Sequence, residues 1–197
     1  MDAGMIQRLY DWMMRMAAHK RAPQMLFWVS FAESSFFPIP PDVMLVPMVL
    51  ANRLKAWAYA TIATVGSVIG GVAGYAIGYF LLEYIGQHVL RFYGYADRFQ
   101  EFSNLFNEWG VWILLIKGMT PFPYKVLTIL AGAAHMNLLA FIAASIVARA
   151  MRFYLVAGLL YWFGPPIREF IETRLKLVTT AFVVLLIGGF VAIKYVV

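Results

Sequence analysis

The sequence predicts an all-α polytopic membrane protein: two opposed re-entrant hairpins in an inverted repeat, three full transmembrane helices and amphipathic interfacial helices. Two observations support this fold class. The chain of 197 residues is 62% hydrophobic and only 13% charged, whereas soluble domains are about 45–50% apolar and about 25% charged. Two apolar stretches are also broken by prolines at corresponding places, which is the sequence pattern of an inverted repeat with a site near the membrane midplane.

The charge and the reactive residues exclude several other classes. The net charge is +6, but there is no separate basic domain, so we expect positively charged cytoplasmic loops and no nucleic-acid partner. The chain has no cysteine, which excludes disulfides and thiolate chemistry. The histidines fall in separate segments, so we expect neither a metal site nor a cofactor. They are His19, His88 and His135.

Residues 1–22 are predicted to form an amphipathic helix. Arg8, Asp11 and Arg15 interrupt the apolar residues, so no continuous signal-peptide core exists. The apolar residues recur at helical spacing with the charges opposite them. The helix is expected to lie in the membrane interface, and packing on the protein's own rim is an equally open alternative.

The first re-entrant hairpin is predicted over residues 24–51. Its break is the stretch E-S-S-F-F-P-I-P-P-D at 33–42. Prolines remove backbone donors and clash with the preceding turn, so a helix is not expected to continue through the break. Glu33 and Asp42 flank it, although an acid in hydrocarbon costs about 2.5–3.5 kcal/mol. A single kinked span is the alternative. The breaking residues are Pro38, Pro40 and Pro41.

Residues 56–83 are predicted to form the first full span. Four glycines recur every four residues and share one helix face, which lets another helix approach closely. We expect this glycine face to serve packing, and a homo-oligomer could form through it. The glycines are Gly66, Gly70, Gly74 and Gly78.

The second hairpin is predicted over residues 110–134, after a second amphipathic helix with an aromatic face over residues 91–109. Its break is K-G-M-T-P-F-P-Y-K at 117–125, where two prolines and a glycine interrupt the apolar run and two lysines flank it. It has the form of the first hairpin with the sign of the charge reversed. The prolines are Pro121 and Pro123, and the lysines are Lys117 and Lys125.

The second full span is predicted over residues 138–163, ended by Pro165 and Pro166 and followed by a charged loop at 168–176. Arg149 and Arg152 are three residues apart and therefore share a helix face. Charged residues on a span turn towards the bundle interior. Residues 177–197 are predicted to form the third span.

Four basic residues and two acids are thus expected at membrane depth. They could form structural ion pairs and nothing more. Alternatively they form a functional polar site whose excess positive charge receives an anion, because arginine suits bidentate phosphate contacts. We favour the functional site, in which a carboxylate could also exchange a proton. The basic residues are Lys117, Lys125, Arg149 and Arg152.

The distribution of basic residues supports a cytoplasmic N-terminus. The count is the same whether the two broken segments are re-entrant or cross the membrane fully. The hairpins are therefore predicted from the prolines and charges alone.

Together these motifs resemble the DedA family, also called the VTT or SNARE-associated family. The matching stretches are E-S-S-F-F-P-I-P-P-D at 33–42, G-G-V-A-G-Y-A-I-G-Y at 70–79 and P-F-P-Y-K-V-L-T-I-L-A-G-A-A-H-M at 121–136. The resemblance implies two opposed re-entrant hairpins and movement of phospholipids or undecaprenyl phosphate across the bilayer. It also implies links to the proton motive force and to envelope integrity.

The resemblance carries over to particular residues. Glu33 and Asp42 match the acids that the family requires. Lys125, and less closely Lys117, stand where the family usually has arginines in a shorter run. Arg149 and Arg152 lie where many members are uncharged, as in a divergent branch, and could replace the missing guanidinium groups.

The sequence therefore predicts a lipid flippase or scramblase and not an enzyme. Its expected partners are phosphate-bearing membrane lipids and protons, and its expected location is the bacterial inner membrane. Two alternatives stay open: a non-transporting membrane assembly factor, and an intramembrane enzyme acting on lipid phosphate. The chain lacks the residues expected of such an enzyme, since no membrane-buried histidine lies beside an acid.

Overall fold

The computed structural model describes Ala17 and residues 19–37, 39–92, 96–120 and 123–173. Within these ranges all regular structure is helical and no strand occurs, as predicted. A 3-10 turn (Arg53–Lys55) precedes the third helix, and a π-helical turn (Leu82–Gly86) follows it. The α-helices are α1 (Ala22–Ser35), α2 (Asp42–Ala51), α3 (Ala56–Leu81), α4 (Gln87–Phe92), α5 (Ala96–Met119), α6 (Tyr124–Ala133) and α7 (Leu138–Thr173).

Helix α3 is the central helix, and its glycine face is covered by this chain's own backbone. A Cβ atom at Gly66 would lie 2.5 Å from the carbonyl oxygen of Phe27 in α1, so only glycine permits this approach. Gly70 meets Phe31 of α1 in the same way, and Gly78 meets Ile129 of α6. The predicted close packing is therefore intramolecular. Because α1 and α6 already cover this face, a second copy of the chain could pack on it only if these two helices moved away.

The chain reverses direction across the first break. Helix α1 runs parallel to α3, because Phe27 meets Gly66 and Phe31 meets Gly70. Helix α7 runs antiparallel to α3: Thr61 and Ser67 contact Tyr154 and Arg149, respectively.

Helix α2 follows the direction of α7. Asp42, at its start, contacts Arg152, and Leu50, near its end, approaches Gly164. Helix α2 is therefore antiparallel to α3 and to α1. Both outer ends of this first helical hairpin lie at the Ala56 end of α3.

The second break reverses the chain as well. Gly118 near the end of α5 lies beside Tyr124 at the start of α6, and Ser103 near the start of α5 donates to the Ala134 carbonyl after α6. Helices α5 and α6 are therefore antiparallel. The outer ends of this second helical hairpin lie at the opposite end of α3, where the Tyr75 hydroxyl donates to the Met136 carbonyl.

The two units, α1–α2–α3 and α5–α6–α7, consequently have the same order of elements and opposite directions. Their hairpins approach from opposite ends of α3 and meet at one level. Ser35 at the end of α1 donates to the Gly70 carbonyl at 2.9 Å, and a Cβ at Gly71 would lie 3.5 Å from the Tyr124 ring at the start of α6. This is the arrangement expected of an inverted repeat.

Each half of the molecule has its own apolar core. The first core joins α1, α2, the first half of α3 and the second half of α7 through Leu26, Met48 and Phe153. The second core joins α5, α6 and the first half of α7 through Leu114, Tyr124 and Phe141. The charged side chains of the site lie where these two cores meet.

Two helical stretches, Arg53–Tyr84 and Leu138–Gly164, are long and apolar enough to cross a membrane. Many of their outward positions are apolar, with Ile69 and Leu155 about half exposed. The third predicted span, 177–197, lies outside the described residues. The predicted N-terminal helix 1–22 does so as well, apart from Ala17 and the stretch 19–22.

The predicted boundary between an interfacial helix at 91–109 and a hairpin arm from Gly110 is wrong. Residues 96–119 form one continuous helix, while Arg91 and Phe92 end the preceding helix. One glycine costs only about 1 kcal/mol in a helix. Gly110 is used for packing, because a Cβ there would lie 3.1 Å from the Met136 sulfur.

The predicted end of the second span at Pro165 and Pro166 is also wrong. Helix α7 continues through both prolines to Thr173, so residues 168–173 of the predicted charged loop are helical. Proline removes a donor but holds φ near the helical value. The preceding Gly164 has no side chain to crowd the turn and lies against Arg53.

Candidate functional site

Glu33 stands in the last turn of α1, directly before the proline-rich break. The helix ends there because residues ahead of prolines avoid helical geometry, and the Phe36 and Phe37 amides both donate to the Ala32 carbonyl. The C-terminal end of a helix carries a partial negative charge, which disfavours a carboxylate. Glu33 therefore needs a cationic partner, and its side chain is only 13% exposed.

Arg149 is that partner. Its Nη2 donates to Glu33 Oε2 at 2.9 Å, and its Nε donates to Ser67 Oγ at 2.6 Å. The guanidinium carbon lies 4.5 Å from the Tyr124 ring centre and 4.7 Å from that of Phe153, within the range of cation–π contact. The side chain is 0% exposed. Its Nη1 has no acceptor within the described part of the chain.

Two serine hydroxyls close a ring with this ion pair. Ser34 Oγ donates to Glu33 Oε2 at 3.1 Å and lies 2.6 Å from Ser67 Oγ. Because Ser34 uses its proton on Glu33, we infer that Ser67 donates to Ser34. Hydrogen bonds then run from Arg149 Nε to Ser67, from Ser67 to Ser34 and from Ser34 to Glu33 Oε2. Arg149 Nη2 contacts the same Glu33 oxygen directly. This closed ring of hydrogen bonds fixes the guanidinium in one orientation, although Nη1 takes no part in it.

Asp42 forms the second ion pair with Arg152. Asp42 is the first residue of α2, where the positive end of the helix dipole favours a carboxylate. Its Oδ2 lies 2.7 Å from Arg152 Nη2. The side chains of Asp42 and Arg152 are 27% and 19% exposed, so this pair is more accessible than the first.

Both acids belong to the first hairpin and both arginines to α7. The predicted meeting of Glu33 and Asp42 with Arg149 and Arg152 is therefore present, as two separate pairs. The lysines behave differently. Lys117 is exposed and Lys125 is half-buried, and neither forms an ion pair within the described residues. The positive charge without an acidic partner in this region is carried by the lysines.

The sequence-based prediction gave no role to five hydroxyl residues around the pairs, which are Ser34, Ser67, Tyr124, Thr128 and Ser145. Thr128 Oγ1 donates to the Ser34 carbonyl at 3.0 Å and so links the two hairpins. Tyr124, which covers Arg149, donates to Ser145 Oγ at 2.6 Å. Small hydroxyl residues in otherwise apolar helices were the available signal, and Tyr124 lies inside the quoted break. In the ranges that the structure covers, no group of three potential metal ligands occurs.

The site therefore joins the two inverted units at the level where their hairpins meet. Each pair takes its acid from one unit and its base from the other. Breaking a pair with a charge still inside the protein is costly, so the pairs fix the relative position of the units.

Two of the relatives that the chain matches cover almost its whole length, and a third covers about two thirds of it. An uncharacterized protein of Haemophilus influenzae is 36% identical over 186 residues, which cover 94% of this chain and 96% of that protein. An uncharacterized protein of Histophilus somni is also 36% identical, over 94% and 97% of the two chains. One of Methanocaldococcus jannaschii is 23% identical over 64% and 76%. No solved structure matches the chain.

The VTT domain matches residues 37–162, which is more than half of the chain and includes the prolines of both breaks and all of α3, while Glu33 lies just before the match. It also includes the arginines of the site. Together with the relatives at 36% identity, this match establishes that the chain belongs to the VTT-domain (DedA) family of membrane proteins.

Proposed function

We propose that this protein is a membrane lipid transporter, a flippase or scramblase that moves a lipid with a phosphate-bearing headgroup across the bilayer. Its substrate class is a phospholipid or undecaprenyl phosphate, and a proton taken up by Glu33 or Asp42 can accompany the movement. Such a protein would support the cell envelope from the bacterial inner membrane, with its N-terminus in the cytoplasm. The supporting arguments are the hairpin lengths, the aromatic ends and the paired charges.

The returning arm of each hairpin, α2 or α6, is too short to cross the membrane. Helices α2 and α6 have ten residues each, or about 15 Å at 1.5 Å per residue. That is half of a hydrocarbon core of about 30 Å. Since each hairpin also reverses direction, we propose that both are re-entrant and that their breaks meet near the midplane.

Aromatic clusters at the two ends of α3 support this placement. At one end Trp57 stacks on Tyr154 at 5.9 Å, and at the other Tyr79 lies 4.6 Å from His135. Tryptophan and tyrosine are enriched at membrane interfaces. The rise from Trp57 to Tyr79 is about 33 Å along the helix, which brackets the hydrocarbon core and puts the Gly70–Gly74 level inside it.

Basic residues support the proposed orientation. Lys20 and Arg53 are exposed at the outer ends of the first hairpin, at the Trp57 end of α3. The excess of lysine and arginine favours the cytoplasm for this end. The second hairpin would then enter from the outside.

One observation carries the proposal: the Glu33–Arg149 and Asp42–Arg152 pairs lie where two oppositely directed hairpins meet. A protein that served only as a scaffold would gain more from apolar residues there, because buried ion pairs seldom add net stability. Ionisable residues inside a membrane usually mark a substrate or proton pathway. The lysines that flank the second break add the positive charge that a phosphate needs.

A reconstitution experiment tests the function. Vesicles containing the purified protein and a trace of headgroup-labelled phospholipid are exposed to a membrane-impermeant quencher, with protein-free vesicles as the control. Transport predicts that the label on the inner leaflet becomes accessible faster than in the control. If vesicles with and without the protein give equal rates, both for phospholipids and for labelled undecaprenyl phosphate, the proposal is rejected in favour of an assembly factor.

Chemical analysis of the same vesicles separates transport from catalysis. The lipids recovered after the assay should be unchanged in mass, because a transporter breaks no covalent bond. Release of phosphate or a new lipid species in proportion to protein would show an intramembrane enzyme. The lipids that co-purify with the protein, identified by mass spectrometry, would then name the substrate.

A further inference from the structure

The two arginines of the site differ in the donors that they leave free. Arg149 uses Nε and Nη2 on protein acceptors; its Nη1 has no acceptor among the described residues, but it is enclosed with the fully buried side chain, which has an aromatic ring on each face. Arg152 donates through Nη2 to Asp42 and to no other described residue, and part of its side chain is exposed. A guanidinium has five N–H donors arranged as a planar fork. Arg152 therefore keeps at least one edge with two parallel donors.

We propose that Arg152 contacts the phosphate of the lipid headgroup while it remains paired with Asp42, and that Arg149 is a positioning residue that stays bound to Glu33. This assignment rests on the proposed function, because it divides the work inside the same site. A two-donor edge matches two oxygens of a phosphate, and such bidentate contacts are shorter and stronger than single neutral hydrogen bonds.

The positioning role of Arg149 follows from its location on α7. Arg149 and Arg152 are one helical turn apart and share a face. Hydrogen bonds to Ser67 on α3 and to Glu33 on α1 fix Arg149 from two helices. They therefore fix the rotation of α7 about its axis and the direction of Arg152. A headgroup can reach Arg149 only if Tyr124 or Phe153 moves away.

The second hairpin carries a positive charge that the two ion pairs do not balance. Asp42 supplies one negative charge, and the start of α2 stabilises that carboxylate. Lys125, on the first turn of α6, has no acidic partner in the described residues. It follows Tyr124, whose ring covers Arg149. A lipid phosphate would balance this surplus positive charge.

Arginine-selective modification tests the assignment without measuring transport. The lipid-stripped protein in a maltoside detergent is treated with phenylglyoxal, and peptides containing Arg149, Arg152 and the exposed Arg53 are quantified by mass spectrometry. Arg149 should react about ten-fold or more slowly than Arg152, because a buried group reacts only after local opening. Phosphatidylglycerol should protect Arg152 and leave Arg53 unchanged.

Parallel samples identify the source of protection. Diacylglycerol, which lacks the phosphate, should not protect Arg152, and inorganic phosphate should protect it much less than phosphatidylglycerol does. Equal protection by diacylglycerol would mean that the lipid only covers the side chain and would overturn the proposal. Equal protection by inorganic phosphate would replace the lipid with a free ion. Arg149 reacting as fast as Arg152 would overturn the division of roles.

Two lysine variants separate the roles further. Arg149→Lys should lower the melting temperature by more than about 5 °C, because lysine cannot bridge Ser67 and Glu33 with a fixed fork. Arg152→Lys should change it by less than about 2 °C and should remove phosphatidylglycerol binding. Arg53→Lys is the matched control. A larger fall in melting temperature for Arg152→Lys than for Arg149→Lys would contradict the assignment. Unchanged phosphatidylglycerol binding by Arg152→Lys would contradict it as well.

Discussion

Arg149 Nη2 lies 2.9 Å from Glu33 Oε2, and this contact joins residues 116 positions apart in the chain. It connects the first hairpin to the long helix of the inverted second unit. The arginine is completely buried, so each partner depends on the other to remain charged inside the protein.

Removing one member of this pair should therefore destabilise the protein strongly. Arg149→Met leaves Glu33 without its counter-ion, and we expect a loss of about 3–5 kcal/mol. The double variant Arg149→Met/Glu33→Gln removes both charges and should recover part of the loss. Unfolding of the purified protein in detergent measures both. A double variant less stable than Arg149→Met alone would show that the pair is not coupled in this way.

The glycine face of α3 predicts a second stability effect. A Cβ at Gly70 would collide with the carbonyl group of Phe31, and backbone cannot move aside as a flexible side chain does. We expect Gly70→Ala to cost about 1–3 kcal/mol by overpacking and to lower the melting temperature. Gly71→Ala on the same helix is the control, because its Cβ would lie 3.4 Å from the nearest neighbouring atom, Thr128 Cγ2, which is an ordinary contact distance. Equal melting temperatures for the two variants would contradict the close approach of α1 and α3.

Contact between α1 and α3 can also be captured covalently. Ser34 Oγ and Ser67 Oγ are 2.6 Å apart, and the chain contains no natural cysteine. Ser34→Cys/Ser67→Cys should form an internal disulfide under mild oxidation, because the side chains already point at each other. Non-reducing mass analysis of peptides detects it. Ser30→Cys/Ser67→Cys, in which residue 30 lies one turn away on α1, should form it much less.

Thiol labelling tests the two opposed hairpins. Lys20→Cys and Arg53→Cys lie at the outer ends of the first hairpin and should label from one side of the membrane. Asn104→Cys and Leu139→Cys lie at the outer ends of the second and should label from the other side. All four positions are exposed. If Lys20→Cys and Arg53→Cys label from opposite sides, the first hairpin is a full crossing.

The fold was largely predictable where proline and glycine dominate the sequence. Three prolines within four residues end a helix in any context, and glycines every four residues define one packing face. The partner of that face was not predictable, because the spacing looks the same whether the approaching helix is α1, α6 or another copy. The course through Pro165 and Pro166 was missed because proline itself accepts a helical φ.

The sequence was sufficient to predict which charged residues form the site, but not which acid pairs with which arginine. Acids and arginines at membrane depth must face the protein interior. This rule alone predicts that the four charged residues lie close together, namely Glu33, Asp42, Arg149 and Arg152. Which acid meets which arginine depends on the antiparallel course of α3 and α7, a long-range relationship. The roles of Ser67 and Tyr124 depend on the same register. A hydroxyl in an apolar helix, or a tyrosine within a break, indicates a polar role but does not identify the contacts that the side chain makes.

The most direct test of the central claim is the headgroup-accessibility assay with the acids of the site neutralised. Glu33→Gln and Asp42→Asn keep the shape of each side chain and remove its charge and exchangeable proton. Glu83→Gln, an exposed acid at the far end of α3, is the matched control. We predict protein-free rates for the two site variants and the wild-type rate for Glu83→Gln. Because Glu33→Gln leaves the buried Arg149 without its counter-ion and should lower stability, rates are compared per folded, inserted protein, and Asp42→Asn tests the site at the more exposed pair. Wild-type transport by Glu33→Gln and Asp42→Asn would contradict the claim that this site moves lipid.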